Sequence, residues 1–174
     1  MKYKRIAKEL YENNRRRFVD QLDPNSLAVF NSNDIVTTSA DSTMPFVQHR
    51  DILHLSGVDQ EESILIIFPD CQNKKHREIL FLKETNEHIA VWEGEKLTKK
   101  AAFETSGIRT VYWLDQFPTV FKGLMSEAQN IYVNTNEHTR ANTEGESRED
   151  RFISWCKKDY PGHTYKRSAP IMHR

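Results

Sequence analysis

Cysteine is scarce in this sequence. Cys71 and Cys156 are its two examples, and neither stands at a spacing that a metal site uses. Two free thiols in a reducing cytosol are the expectation. No apolar run approaches the ~20 residues needed to cross a bilayer. The opening MKYKRIAKEL lacks the apolar centre of a signal peptide, so a cytoplasmic protein without a membrane partner is expected. Charge of one sign is missing too. Lys plus Arg and Asp plus Glu number 25 each, which gives no argument for nucleic acid as a partner. There is no repeat and no low-complexity tract. Catalytic signatures are also missing: no GxGxxG follows a strand, and P-loop, HExxH and GxSxG patterns do not occur.

What remains is one domain's worth of chain. At 174 residues the sequence can bury a real core, although its apolar fraction of 37% is low and its charged fraction of 29% high. Residues 1–17 carry seven Lys/Arg against two Glu, a cluster best read as a solvated helix face. A helix is predicted over 3–22, with Ile6, Leu10, Phe18 and Leu22 on one row interrupted by Asn14. Asp23-Pro24-Asn25 ends it in a turn.

The spacing then predicts strands at Leu27–Phe30 and, from its β-branched residues, at Ile35–Thr38. Ser63–Phe68 is apolar at five consecutive positions, as a strand covered on both faces should be. Glu78–Leu82 is its natural antiparallel partner. Short helices are expected over 85–92, stopped by Gly94, and from Thr98 as cap to Thr105, with Gly107 beyond. The remainder alternates: strand 110–114, helix 115–128 with Pro118 in its first turn, strand 130–133, helix 146–158 and strand 163–167. Such alternation implies parallel pairing with right-handed crossovers. The predicted class is α/β, a mixed sheet flanked by helices, and residues 168–174 read as the start of a linker.

The densest chemistry lies in Ser39–Gly57, SADSTMPFVQHRDILHLSG. It collects Asp41, Pro45, Gln48, His49, Arg50, Asp51 and His54 between a polar loop and a short helix, and Gly57 supplies the helix stop. His49 and His54 stand five apart, which is poor spacing for one metal on one helix face. Trp92, before Glu93-Gly94, is either a core residue or an exposed aromatic that covers a ligand.

The order RRRFVDQL, LAVF, SADSTMPFVQHRDILHLSG, SILIIF, EILFLK and VWEG, closed by PIMHR, resembles the N-terminal domain of aminopeptidase P. This is the creatinase/prolidase N-terminal domain family. The specific positions are Asp41-Ser42, Pro45, Gln48 and Asp51, followed by LSG and WEG. The resemblance implies a mixed, about six-stranded sheet of ribonuclease H-like motif over residues 1–167. It implies that the catalytic pita-bread domain, with two manganese ions and all the metal ligands, would follow Arg174. The parent enzyme would remove the residue preceding proline from short peptides. This chain alone would be inactive and without catalytic or metal-binding residues. Its implied roles are assembly into a homodimer or homotetramer and narrowing of the substrate entrance.

By the same resemblance Asp41 and Trp92 match positions that would approach substrate at a neighbouring subunit. The alternatives are that Asp41 caps its turn and Trp92 packs. His49, Arg50 and His54 match nothing in the family and stand as structural or interface residues. Prolidase-like and creatinase-like enzymes, or a non-catalytic peptide- or protein-binding module of the same fold, remain the alternatives for the whole.

Overall fold

The computed structural model describes residues 6–138 and 145–173, and the side chains of Trp92 and Glu93 fall outside that description. The apolar runs become strands β1 (Ser26–Asn31), β2 (Ile64–Ile67), β3 (Glu78–Leu82), β4 (Thr110–Trp113), β5 (Asn130–Val133) and β6 (Thr164–Arg167). They form one sheet in the order β4-β3-β2-β1-β5-β6. β2 runs antiparallel to both neighbours, and every other pairing is parallel. The expected mixed sheet is therefore present, with the antiparallel pairing confined to the central reversed strand. Burial follows position: β1 and β2 are buried throughout, while the edge strand β6 has no buried residue.

Seven helices accompany the sheet among the described residues: α1 (Lys8–Val19), α2 (Arg50–Ser56), α3 (Glu87–Glu93), α4 (Lys99–Ser106), α5 (Phe117–Glu127), α6 (Arg148–Asp159) and α7 (Ala169–Met172). Side chains alternate between the two faces of each strand, as the pleat demands. Leu27, Val29, Ile64, Ile66, Ile79 and Phe81 meet the apolar sides of α5 and α6. Ala28, Phe30, Leu65, Ile67, Leu80 and Leu82 meet Phe18 of α1, Ile52 and Leu55 of α2, and Ala102 of α4. Each buried side chain of this size contributes about 1.5–3 kcal/mol relative to exposure. The first core is aromatic, with Phe117 stacked on Phe121 at 4.9 Å and edge-on to Phe81 at 5.2 Å. At the end of the described residues Ser168 and Ala169 are buried, and Ile171 and Met172 pack on the second core.

Helix α1 departs from the sequence reading. It begins at Lys8 and ends at Val19, and of the expected apolar row only Phe18 is buried, whereas Ile6 and Leu10 are half exposed. Its buried residues are Asn14, Arg15 and Phe18. The cause lies beneath it, where α2 and α4 end in the same way. Ser56 Oγ donates to the Ile52 carbonyl (2.6 Å) and accepts from Val58 N–H (3.1 Å). Ser106 Oγ repeats this with Ala102 (2.7 Å) and Ile108 (3.1 Å). Gly57 and Gly107 then turn the chain at φ +69° and +77°. The last carbonyls of both helices need donors. Asn14 Nδ2 gives one to His54 O (2.8 Å), and Arg15 Nη1 reaches both Leu55 O (2.8 Å) and Ser106 O (2.9 Å). A polar stripe is what this helix must bury.

Ile35–Thr38 is the second departure. It is not a sheet strand but one arm of an exposed hairpin, joined by an isolated bridge between Thr37 and Thr43. β-branched residues favour strands when there is a half-buried pleated surface to fit. This arm has no such surface, and Ile35 and Val36 face solvent.

Candidate functional site

Because five strands point one way, the connections leaving β1, β3 and β5 emerge at a common end of the sheet, together with the turn that enters β2. Ligands of open α/β sheets collect at the carboxyl ends of strands. The chemistry-rich segment leaves β1 at this end, and the segment holding α3 leaves β3 beside it.

The hairpin has a fixed base and an open tip. At the base, Asn31 N–H donates to Asn134 Oδ1 (3.3 Å), and Ser32 N–H donates to the Ser63 carbonyl (3.0 Å). Asn33 Nδ2 donates to Val47 O (3.0 Å), and Arg151 Nη2 of α6 holds Asp34 Oδ1 at 2.5 Å. The arms are joined by Met44 N–H to Val36 O and Thr38 N–H to Ser42 O, each 2.9 Å. Ser42 N–H closes the turn on Ser39 O, and Ala40 takes the left-handed region at φ +50°. Asp41 sits in this turn, exposed, and among the described residues no side-chain hydrogen bond or ion pair engages its carboxylate. Ile35, Val36, Met44 and Val47 are 42–70% exposed around it. Ile35, Thr43, Met44, Pro45, Phe46 and Glu61 line a depression of about 400 Å³ on the flank. Clustered exposed apolar side chains mark a contact surface more often than isolated ones do.

Gln48 anchors the other end of the segment. It is buried, and its Nε2 lies within 2.9–3.1 Å of Val58 O, Gln60 O and Ser63 Oγ, while Oε1 accepts from His49 N–H (2.8 Å). It ties the entrance of α2 to the entrance of β2. His49 caps α2: Nδ1 accepts from Asp51 N–H (3.2 Å), and Nε2 lies 3.1 Å from Glu149 Oε1 in α6. This pattern requires a lone pair on Nδ1 and a proton on Nε2. Asp51 is buried, with Oδ1 3.7 Å from His173 Nε2 and Oδ2 without a hydrogen bond. Burial pushes its carboxyl above the usual carboxylate range, opposed by His49, His173 and His54. For Glu149 burial acts the same way but is outweighed, chiefly by the His49 hydrogen bond and by Ser147, so its carboxyl is held below the usual range.

These groups do not form a metal centre. Both ring nitrogens of His49 are committed, and the described residues contain no group of three or more His, Cys, Asp or Glu that could hold an ion. The donors among the described residues therefore do not fit a two-manganese site. Arg50 and His54 are exposed on α2. Trp92 lies in the last turn of α3, before Gly94 and after the Asn86 cap on Ile89 N–H (2.9 Å), with its side chain outside the described residues. The segment following α3 is fixed to the β2 entrance by Leu97 N–H to Gln60 Oε1 (2.8 Å) and by the close Lys96–Glu61 pair. Asp41, in the hairpin, and Trp92, in α3, thus belong to segments that leave the same end of the sheet. Sequence reasoning missed the His49–Glu149 link, since no local pattern joins residues so far apart. No helix among the described residues is long and apolar enough to cross a membrane.

Known proteins place this architecture. The chain is 24% identical over 136 residues to the Xaa-Pro aminopeptidase of Escherichia coli K12, covering 78% of this chain and 31% of that protein. A structure of a candidate aminopeptidase P from Bacillus anthracis superposes with a TM-score of 0.83 at 21% identity, over 95% of this chain and 39% of that one. The low-pH form of aminopeptidase P from E. coli gives 0.78 at 20% identity, over 98% and 39%. The chain spans well under half the length of these relatives. The family model described as aminopeptidase P, N-terminal domain, matches residues 11–132, from the clasp of α1 through β5, and the chain belongs to that family.

Proposed function

We propose that this chain is the non-catalytic N-terminal domain of a manganese-dependent Xaa-Pro aminopeptidase, and that it assembles the oligomer and narrows the substrate entrance. The observation that carries the proposal is the Ile35–Val47 hairpin. A firmly anchored base presents an unengaged carboxylate, Asp41, among exposed apolar side chains at the carboxyl end of the sheet. An exposed ion pair is weak in water, so Asp41 becomes useful once a second surface excludes solvent from it. It would then attract the free ammonium group of a short peptide, and Trp92 would give an aromatic face to a side chain or proline ring. The partners of this reading are the chain's own C-terminal catalytic domain and one or three further subunits. The reaction belongs to the metal ligands of that domain.

In the full-length enzyme, Asp41→Asn and Trp92→Ala should each raise KM for tripeptides with proline second, with metal content and kcat retained. Unchanged KM for both would remove the gating role. The 174-residue chain alone should not cleave such peptides with manganese added, and metal-dependent turnover by it would overturn the non-catalytic assignment.

A further inference from the structure

A second concave site lies at the opposite, amino end of β3 and β4, away from the hairpin. Its volume is about 650 Å³, within the range of small-ligand pockets. Its walls come from α1, the end of β2, the turn before β3 and the turn before β4. Arg15, Arg16, Lys74, Lys75, Arg77 and Arg109 line it, against the carboxylates of Glu12 and Glu78. In a chain whose charges cancel overall, six cations facing two anions around one cavity is a local excess.

The floor of this cavity is built as well as charged. Arg15 is 1% exposed, and its Nη1 is fixed by the helix-end carbonyls of Leu55 and Ser106. Its Nε lies 3.0 Å from Glu78 Oε1 but is misaligned and makes no hydrogen bond. The guanidinium is thus held from one side by carbonyls and from the other by a carboxylate, which fixes its positive charge at the base of the cavity. Around it, Arg77 is steadied by its Nε bond to Cys71 O (3.2 Å), and Arg109 lies over the Phe103 ring at 5.8 Å.

We propose that this cavity binds a small ligand carrying two adjacent phosphate groups. One phosphate monoester brings about −1.5 to −2 charges, so a pair matches the excess where a single group or a carboxylate would not. Arg and Lys together supply both planar forks and mobile point donors for phosphate oxygens. The shared chemistry is the diphosphate, whether it is inorganic or part of a nucleotide.

The test is calorimetric titration of the 174-residue chain with inorganic pyrophosphate and, separately, with ADP, at constant ionic strength near 0.15 M. Saturable binding is expected, weakened about tenfold or more by Lys75→Glu with Arg109→Glu, as loss of charge-assisted bonds requires. Both residues are exposed, and near-native circular dichroism would show that the variant folds. Lys122→Glu, exposed on α5, should leave affinity unchanged. Equal affinity for the two ligands assigns recognition to the diphosphate, and tighter ADP binding adds the nucleoside. Absence of saturable binding by both, or equal weakening by Lys122→Glu, overturns the proposal.

Discussion

His49 Nε2 stands 3.1 Å from Glu149 Oε1 and so joins α2, on one face of the sheet, to α6, on the other. The link crosses the sheet end that carries the hairpin. It fixes the position of the loop through both helical layers at once.

Two carboxylates around His49 should respond to pH with opposite signs. Glu149 has a depressed folded value, so its stabilisation is present above the unfolded value of about 4.3 and is lost as pH falls through the folded value. Glu149→Gln should therefore destabilise at pH 7, by about 1.5 kcal/mol for a charged hydrogen bond, and converge with the parent in acid. Asp51 is raised, so the parent loses stability as pH rises from the unfolded toward the folded value. Asp51→Asn should gain on the parent over that interval. Urea midpoints at several pH values would show the two differences diverging, and parallel curves would refute the assignment.

Arg15 should be among the least replaceable residues. Arg15→Met leaves the Leu55 and Ser106 carbonyls without their donor, a loss of about 1–3 kcal/mol for buried acceptors left unsatisfied. Arg15→Lys should recover less than half of this, because one ammonium cannot copy the guanidinium fork. Equilibrium denaturation measures both.

Gly57→Ala should cost about 1–2 kcal/mol from the left-handed backbone alone. A Cβ there would also run into the Tyr11 ring. Tyr11→Ala in the same chain should remove the steric share and leave the backbone share. Additive penalties would show that the ring is not the obstacle.

Both thiols should be silent in the native state. Cys71 and Cys156 are free and fully buried, and burial pushes the Cys156 thiol up to about 12. At pH 8 a chromogenic disulfide should label neither until denaturant is added, after which both react. Rapid labelling of either thiol in the native chain would contradict its burial.

Much of the fold was legible because the central strands are covered on both faces, and continuous apolar runs leave little choice. Glu78–Leu82 and Asn130–Val133 match their expected bounds, and Thr98, Gly94 and Gly107 act at the helix ends where their local chemistry places them. The failures share a cause. Arg15 looked like part of a solvated face and Asn14 like a break in the apolar row, yet both are buried because the ends of α2 and α4 need donors, a demand set by distant chain. Val36 looked like a sheet residue, yet only the other arm of its hairpin lies beside it, and no strand of the sheet does. Gln48, read as a family marker, proves to hold the backbone turns at the entrances of α2 and β2 together.

The strand order also bears on the sequence of folding events. β1 to β4 can pair among themselves as soon as residues up to Trp113 are available, but this leaves the second edge of β1 open. That edge is covered when Asn130–Val133 arrives, pairing Ser26 with Asn130 across more than a hundred residues. Contacts of such long range form late and slowly. A nascent or truncated chain ending before β5 would therefore display a central strand, apolar from Leu27 to Phe30, with unpaired amides, an invitation to self-association. Arrival of β5 is what closes that edge.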